Sequence, residues 1–199
     1  MDDKSYFQLK CDYLPENDHY FTSDKSTKPN DIKFRTQKKF SVQLMVWICL
    51  SEDAVCELVF LERPNSINGE FYRENCIKGK LVEFIEENHS QDDYIFWSDL
   101  ASAHYAKDTV ELFEELKIPY VLKDQNHPNV PQCRPIENFW SILKTKVYGN
   151  EWEATNILQL KRKIKKCLKE IDLSCLHNDF SRIGTNLRKI YRNNPFCVV

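Results

Sequence analysis

Two carboxylates in this chain sit at the boundaries of two different secondary structures, and that placement restricts the folds able to hold them. Asp99 closes the apolar run Tyr94-Ile95-Phe96-Trp97, which reads as a buried strand, and Glu137 opens an amphipathic stretch that reads as a helix. Pro135 suits the first helical turn, where its missing amide hydrogen costs nothing. Ile136, Phe139, Trp140, Leu143 and Val147 then form a core-facing stripe, while Glu137, Ser141, Lys144 and Tyr148 share another face. Glu137 thus lies where the helix dipole favours an ionised carboxylate, with Lys144 two turns along the same face. On the helix alone, Glu137 reads first as a surface acid.

The rest of the chain falls into alternating elements. Residues 3 to 10 read as a strand and His19 to Thr22 as a short second one, followed by a polar loop, Ser23 to Lys39, with Pro29 and many lysines. Phe40 to Leu50 and Ala54 to Leu61 are β-rich runs joined as a hairpin by Ser51-Glu52-Asp53. Gly69 to Asn88, with Phe71, Cys76, Leu81, Phe84 and Ile85, reads as a helix despite Gly79. A helix from Ala106 to Leu116, a strand Tyr120 to Leu122 and a loop Lys123 to Arg134 complete the path to Glu137. Beyond it, Ile157, Leu160, Ile164, Leu168 and Ile171 make a helical apolar stripe that leaves Arg162, Lys165, Lys166 and Lys169 outside.

At 199 residues, 42% hydrophobic and 29% charged, the chain can bury the core of one compact domain. No apolar run is long enough to span a bilayer and no charged-then-apolar leader is evident, so a soluble intracellular protein is expected. The 8 cysteines lie mostly within apolar periodic segments and form no Cys-x-x-Cys pair, which favours reduced, buried thiols over a disulfide framework. Cys167, Cys175 and His177 fit no common zinc spacing. The net charge of −2 hides an asymmetry, because the basic residues concentrate in 150–199 and leave the remainder acidic. A basic helical segment of this kind serves either a polyanion contact, a nuclear-import signal or an ordinary solvated face.

Trp97-Ser98-Asp99-Leu100-Ala101-Ser102-Ala103-His104 and Pro135-Ile136-Glu137-Asn138-Phe139-Trp140 resemble the motifs that bear the second and third acids of the DDE triad in mariner-type transposases, cut-and-paste DNA enzymes. Asp99 followed by Ala101-Ser102-Ala103-His104 is similar to that family's Asn-Ala-x-x-His run, with Leu100 in place of the usual Asn. Asn129-Val130-Pro131-Gln132-Cys133-Arg134 stands where many relatives have Ser-Pro-Asp-Leu-Asn. Met1-Asp2-Asp3-Lys4-Ser5-Tyr6-Phe7 looks like the first acidic motif. Successive strand side chains alternate faces, so Asp2 and Asp3 cannot both serve. Asp3 shares the more apolar face with Ser5, Phe7 and Leu9, and aligning Phe7 with the family's aromatic also selects it. His104 is either a structural histidine or one that orients a carboxylate or phosphate.

The resemblance covers roughly Asp2 to Tyr148 and implies an α/β fold, a ribonuclease H-like mixed sheet flanked by helices over residues 1–150. A basic helical extension, 151–199, would pack on the same domain. It implies two Mg²⁺ or Mn²⁺ ions held by Asp3, Asp99 and Glu137, and metal-dependent cleavage and transfer of DNA strands. Such hard cations prefer carboxylate oxygen. DNA would be the partner, with Lys144, Arg162, Lys165, Lys166 and Lys169 as contacts, in the nucleus; a homodimer is left open. The alternatives are a non-catalytic transposon-derived DNA-binding protein and a ribonuclease H-like nuclease. Two departures matter. The family's amino-terminal helix-turn-helix modules have no room before Met1, and the first catalytic strand begins close to its acid. A fragment, a truncated gene model or a protein that has lost transposition would each account for them.

Overall fold

The computed structural model describes residues 1–9, 42–62, 67–89, 94–126 and 133–193. The expected His19 to Thr22 strand and the Ser23 to Lys39 loop lie outside them. Three strands, β1 (Asp2–Gln8), β2 (Gln43–Cys49) and β3 (Val59–Glu62), form an antiparallel sheet in the order β1-β2-β3. β1 pairs with β2 from Asp2↔Cys49 to Gln8↔Gln43, and β2 with β3 from Leu44↔Glu62 to Trp47↔Val59. The expected hairpin at Ser51-Glu52-Asp53 is present, closed by Ser51 N–H to the Ala54 carbonyl at 2.9 Å and Cys56 N–H to the Cys49 carbonyl at 2.8 Å.

That register assigns the two faces of the sheet. Asp2, Lys4 and Tyr6 share one face with Trp47 and Cys49, and Asp3, Ser5 and Phe7 share the other with Val46 and Ile48. β2 is buried on both sides, as a run of Leu, Met, Val, Trp and Ile requires. The helix expected at Gly69 to Asn88 covers the Trp47 face. This helix, α1, opens as an α-turn (Gly69–Phe71) capped by the Asn68 side chain. It widens to π-type winding over Tyr72–Leu81 and ends as an α-helix, Val82–Asn88. Gly79 lies in the widened part, where a Cβ would approach the Glu74 carbonyl oxygen to 3.1 Å.

The Phe7 face is covered by α3 (Pro135–Tyr148), which follows α2 (Lys107–Glu115) in the chain. All five residues of its expected stripe, from Ile136 to Val147, are buried. Tyr148, read with the polar face, turns inward instead: its hydroxyl donates to the Gln8 carbonyl at 2.8 Å and accepts from Gln8 N–H at 2.8 Å. Two further helices follow, α4 (Ile157–Lys169), capped by Asn156, and α5 (Ser174–Asn193). Leu160 and Ile164 of α4 and Leu176 of α5 join the same core cluster. No helix of the described residues is long and apolar enough to cross a membrane.

The parallel strands expected at Tyr94–Asp99 and Tyr120–Leu122 are reduced to one parallel bridge, Phe96 to Tyr120. Phe96 N–H donates to Pro119 O at 2.7 Å and Val121 N–H to Phe96 O at 2.9 Å. The ladder stops on one side because Pro119 has no N–H to give. On the other side the Ser98 carbonyl accepts from the Asn126 and Arg134 side chains instead of a strand.

Emptying the α3 core should be costly, since a truncated buried leucine loses both its transfer energy and its packing. Leu143→Ala, at 0% exposure, should destabilise by about 2–5 kcal/mol. Leu158→Ala, at 57% exposure, should stay within about 0.5 kcal/mol. Urea unfolding of the two variants measures both.

Candidate active site

Alternation along β1 sends its two adjacent acids into different surroundings. Asp2 is fully buried under α1, where its Oδ2 accepts from Trp47 Nε1 at 2.9 Å and from the Tyr72 hydroxyl at 2.8 Å. Its position on the otherwise more polar face of β1 departs from the expected pattern, and Tyr72 and Trp47 explain it by supplying donors at that end of the strand. Asp3, on the α3 side, is half-buried and accepts from Trp140 Nε1 at 2.9 Å. Trp140 is three residues beyond Glu137, so both belong to one stretch of α3 facing the end of β1.

Asp99 follows the Phe96 bridge and caps its own turn, its Oδ1 accepting from Ala101 N–H at 2.7 Å. The same oxygen lies 2.7 Å from His104 Nδ1, which is also 3.1 Å from the Asp99 carbonyl. His104 Nε2 points to the other side, 4.0 Å from Asp2 Oδ2, and its ring lies 4.3 Å from that of Tyr72. His104 is therefore buried between two acids and orients Asp99, one of the two roles its sequence context allowed.

The charges of Asp99 and Glu137 both act on Asp3. Burial pushes the Asp3 carboxyl up to about 6, the charges of Glu137 and Asp99 push the same way, and the Lys4 amide and Trp140 indole oppose them. Burial also disfavours ionised Asp99, but the hydrogen bond and charge of His104 outweigh it and bring that carboxyl down to about 2. Burial alone would lower the His104 pKa; the Asp2 and Asp99 carboxylates hold it above the usual value. Glu137 itself is exposed in the first turn of α3. Among the described residues no group of three or more His, Cys, Asp or Glu side chains is arranged to hold a metal ion as they stand. The acids stand among cationic partners, with His104 against Asp99, Lys4 acting on Asp99, and the Arg134 guanidinium on the Ser98 and Asp2 carbonyls.

The expected DNA-contacting residues are not gathered at these acids. Lys144 is half-buried, its Nζ 5.7 Å from the centre of the Phe7 ring. α4 lies over β3, two strands from β1 and so about 10 Å across the sheet. There Lys161 pairs with Glu62 at 2.7 Å, and Lys165, though exposed, lies 5.7 Å from the centre of the Phe60 ring. Lys166 is 3.8 Å from Glu170, while Arg162 and Lys169 are exposed. The residues that pattern reasoning missed are Asp2 and Trp140 as hydrogen-bonding partners. An indole one turn after a helix-initiating acid was the available signal for Trp140.

Because the folded pKa of Asp3, about 6, exceeds its ordinary 3.8, ionised Asp3 opposes folding, by an amount that grows as pH rises between those values. In chelator-treated protein, Asp3→Asn should therefore stabilise by about 1–3 kcal/mol at neutral pH and by almost nothing at about pH 3. Asp2→Ala should instead destabilise by about 2 kcal/mol or more, leaving Trp47 and Tyr72 unpaired. Denaturant titrations across pH measure both.

No protein-family model matches the chain. Over 157 residues it is 26% identical to the transposable element Tc3 transposase of Caenorhabditis elegans, a stretch covering 79% of this chain and 45% of that protein. The chain thus spans about half the length of this curated relative. Its fold matches the crystal structure of the catalytic domain of Mos1 mariner transposase with a TM-score of 0.63 at 15% identity, over 78% of this chain and 74% of that one. A Mos1 transposase paired-end complex with left transposon end matches with a TM-score of 0.73 at 13% identity, over 98% of this chain and 54% of that one. In sequence the chain is thus similar to part of a Tc3 transposase, and in fold to the catalytic domain of Mos1 mariner transposase.

Proposed function

We propose that this chain is a metal-dependent DNA strand-cleaving and strand-transferring domain whose acids are Asp3, Asp99 and Glu137. The observation that carries the reading is geometric: Trp140 of the Glu137 helix donates to Asp3, and Arg134 at the start of that helix donates to the carbonyls just before Asp3 and Asp99. Three carboxylates from a strand, a turn and a helix act on one another's charge in this region. The donor chemistry suits hard cations, and solved Mos1 catalytic-domain structures are described with Mn and with Mg. Asp3, Asp99 and Glu137 would hold two such ions, which when bound activate an attacking oxygen and neutralise a leaving one at a phosphodiester.

The protein's own groups have separable tasks in this reading. His104 holds Asp99 ionised and fixed through Oδ1, leaving the other carboxylate oxygen for a ligand. Trp140 fixes Asp3 through one oxygen in the same way. Glu137 lies in the first turn of α3, at the positive end of the helix dipole. The antiparallel sheet with its Phe96 bridge is read as the core of a ribonuclease H-like mixed sheet, with 151–199 as a helical extension. Lys144, Lys165, Lys166, Arg162 and Lys169 are read as contributors to phosphate contact, with Arg162 and Lys169 foremost because they are exposed while Lys165 lies over Phe60 and Lys166 beside Glu170. DNA in the nucleus is the substrate this reading supplies.

Purified chain should nick supercoiled DNA with Mg²⁺ or Mn²⁺ but not Ca²⁺. Asp99→Asn and Glu137→Gln should each reduce nicking by about a hundredfold or more. Nicking that survives chelation and both substitutions would refute the assignment.

DNA binding without sequence preference should weaken steeply as salt rises, because each phosphate contact releases counterions. Arg162→Ala with Lys169→Ala should lower the slope of log affinity against log salt by about 1–2, as read by fluorescence anisotropy on unrelated duplexes. An unchanged slope would remove α4 from the DNA surface.

A further inference from the structure

Arg134 is half-buried and directly precedes Pro135 at the start of α3. Its Nη1 donates to the Ser98 carbonyl at 3.3 Å and its Nη2 to the Asp2 carbonyl at 3.2 Å. These carbonyls belong to the residues immediately before Asp99 and Asp3, and Arg134 itself lies one turn ahead of Glu137. One arginine therefore joins all three backbone segments from which the acids emerge: its guanidinium donates to two, and its own carbonyl accepts from Glu137 N–H at 3.0 Å in the third.

Its surroundings fix it there. The guanidinium carbon lies 5.6 Å from the centre of the Trp97 ring, and Trp97 Nε1 donates to Asn126 Oδ1 at 2.9 Å. Asn126 Nδ2 in turn donates to the same Ser98 carbonyl at 2.8 Å and to the Tyr105 hydroxyl at 2.7 Å. β1 is an edge strand of the described sheet, and the Asp99 segment forms only its bridge to Tyr120. No ladder joins the Asp3 and Asp99 segments among the described residues, so a side chain makes the link. A planar fork able to donate to two carbonyls at once is a property of arginine that lysine lacks.

We infer that Arg134 is a positioning residue that sets the separation of Asp3, Asp99 and Glu137 by clamping their backbones. The inference rests on the reading of these acids as the active site. It assigns Arg134 no contact with substrate or metal.

The test compares the full wild-type chain with Arg134→Lys and Arg134→Ala. Thermal unfolding, Mn²⁺ affinity by electron paramagnetic resonance, and kcat and KM for nicking supercoiled DNA are measured on each. Arg134→Lys should remain folded, yet bind Mn²⁺ about tenfold more weakly and lose about tenfold or more in kcat, with KM for DNA within about twofold of wild type. Arg134→Ala should lose more. Wild-type kcat and Mn²⁺ affinity in Arg134→Lys would overturn the clamp, since charge alone would suffice. A raised KM with unchanged kcat would overturn it in favour of a DNA phosphate contact. Loss of fold in both variants would overturn it in favour of a purely structural staple. A wild-type chain that neither binds Mn²⁺ nor nicks DNA would instead overturn the proposed function and the positioning role with it.

Discussion

The structure depends on the packing of α3 across β1. Phe7 meets Trp140 edge-on at 6.0 Å and stacks on Tyr148 at 6.2 Å, so one aromatic of the strand is held by two of the helix. The polar ends of the same two helix residues reach the strand, Trp140 at Asp3 and Tyr148 at Gln8. Burying such rings contributes several kcal/mol, more than any exposed ion pair in the molecule. The helix that carries Glu137 is thereby fixed against the strand that carries Asp3. α4 and α5 then pack on α3, adding Leu160, Ile164 and Leu176 to the same core.

Within that frame, burial and charge give the neighbouring carboxylates different properties. Asp2 is buried beneath Trp47 and Tyr72 and receives a hydrogen bond from each. Asp3 is largely removed from water and has two acids nearby, and burial above all leaves its proton affinity high in spite of its indole partner. His104, between Asp2 and Asp99, keeps Asp99 ionised far into acid. A group of acids held together against mutual repulsion costs stability, and such a cost is tolerated where function requires it.

The basic residues of α4 divide by their aromatic neighbours. Lys161 and Lys165 lie over Phe60 and Lys163 over Trp152, where their stems cover apolar surface. Arg162 and Lys169 project to solvent. A dense basic run is thus partly a packing device, and only part of it is available to a polyanion.

Periodicity in the sequence determined the α3 stripe, the β2–β3 hairpin and the α4 apolar face, because local alternation of apolar and polar residues decides which side of an element is buried. The same alternation separated Asp3 from Asp2, and the structure sets Asp3 on the α3 side as that pattern requires. The resemblance to mariner-like transposases was legible in two short motifs, since each keeps its chemistry within a few residues. Tertiary structure alone decided the rest. The burial of Asp2 depends on Tyr72 and Trp47, and Tyr148 turned inward because Gln8 offers backbone partners. The Tyr94–Asp99 strand shrank to a bridge because Pro119 cannot donate and Ser98 is held by side chains from Asn126 and Arg134. The side-chain hydrogen bonds among these join residues 28 to 140 positions apart, and no local pattern encodes a partner that only folding brings within reach.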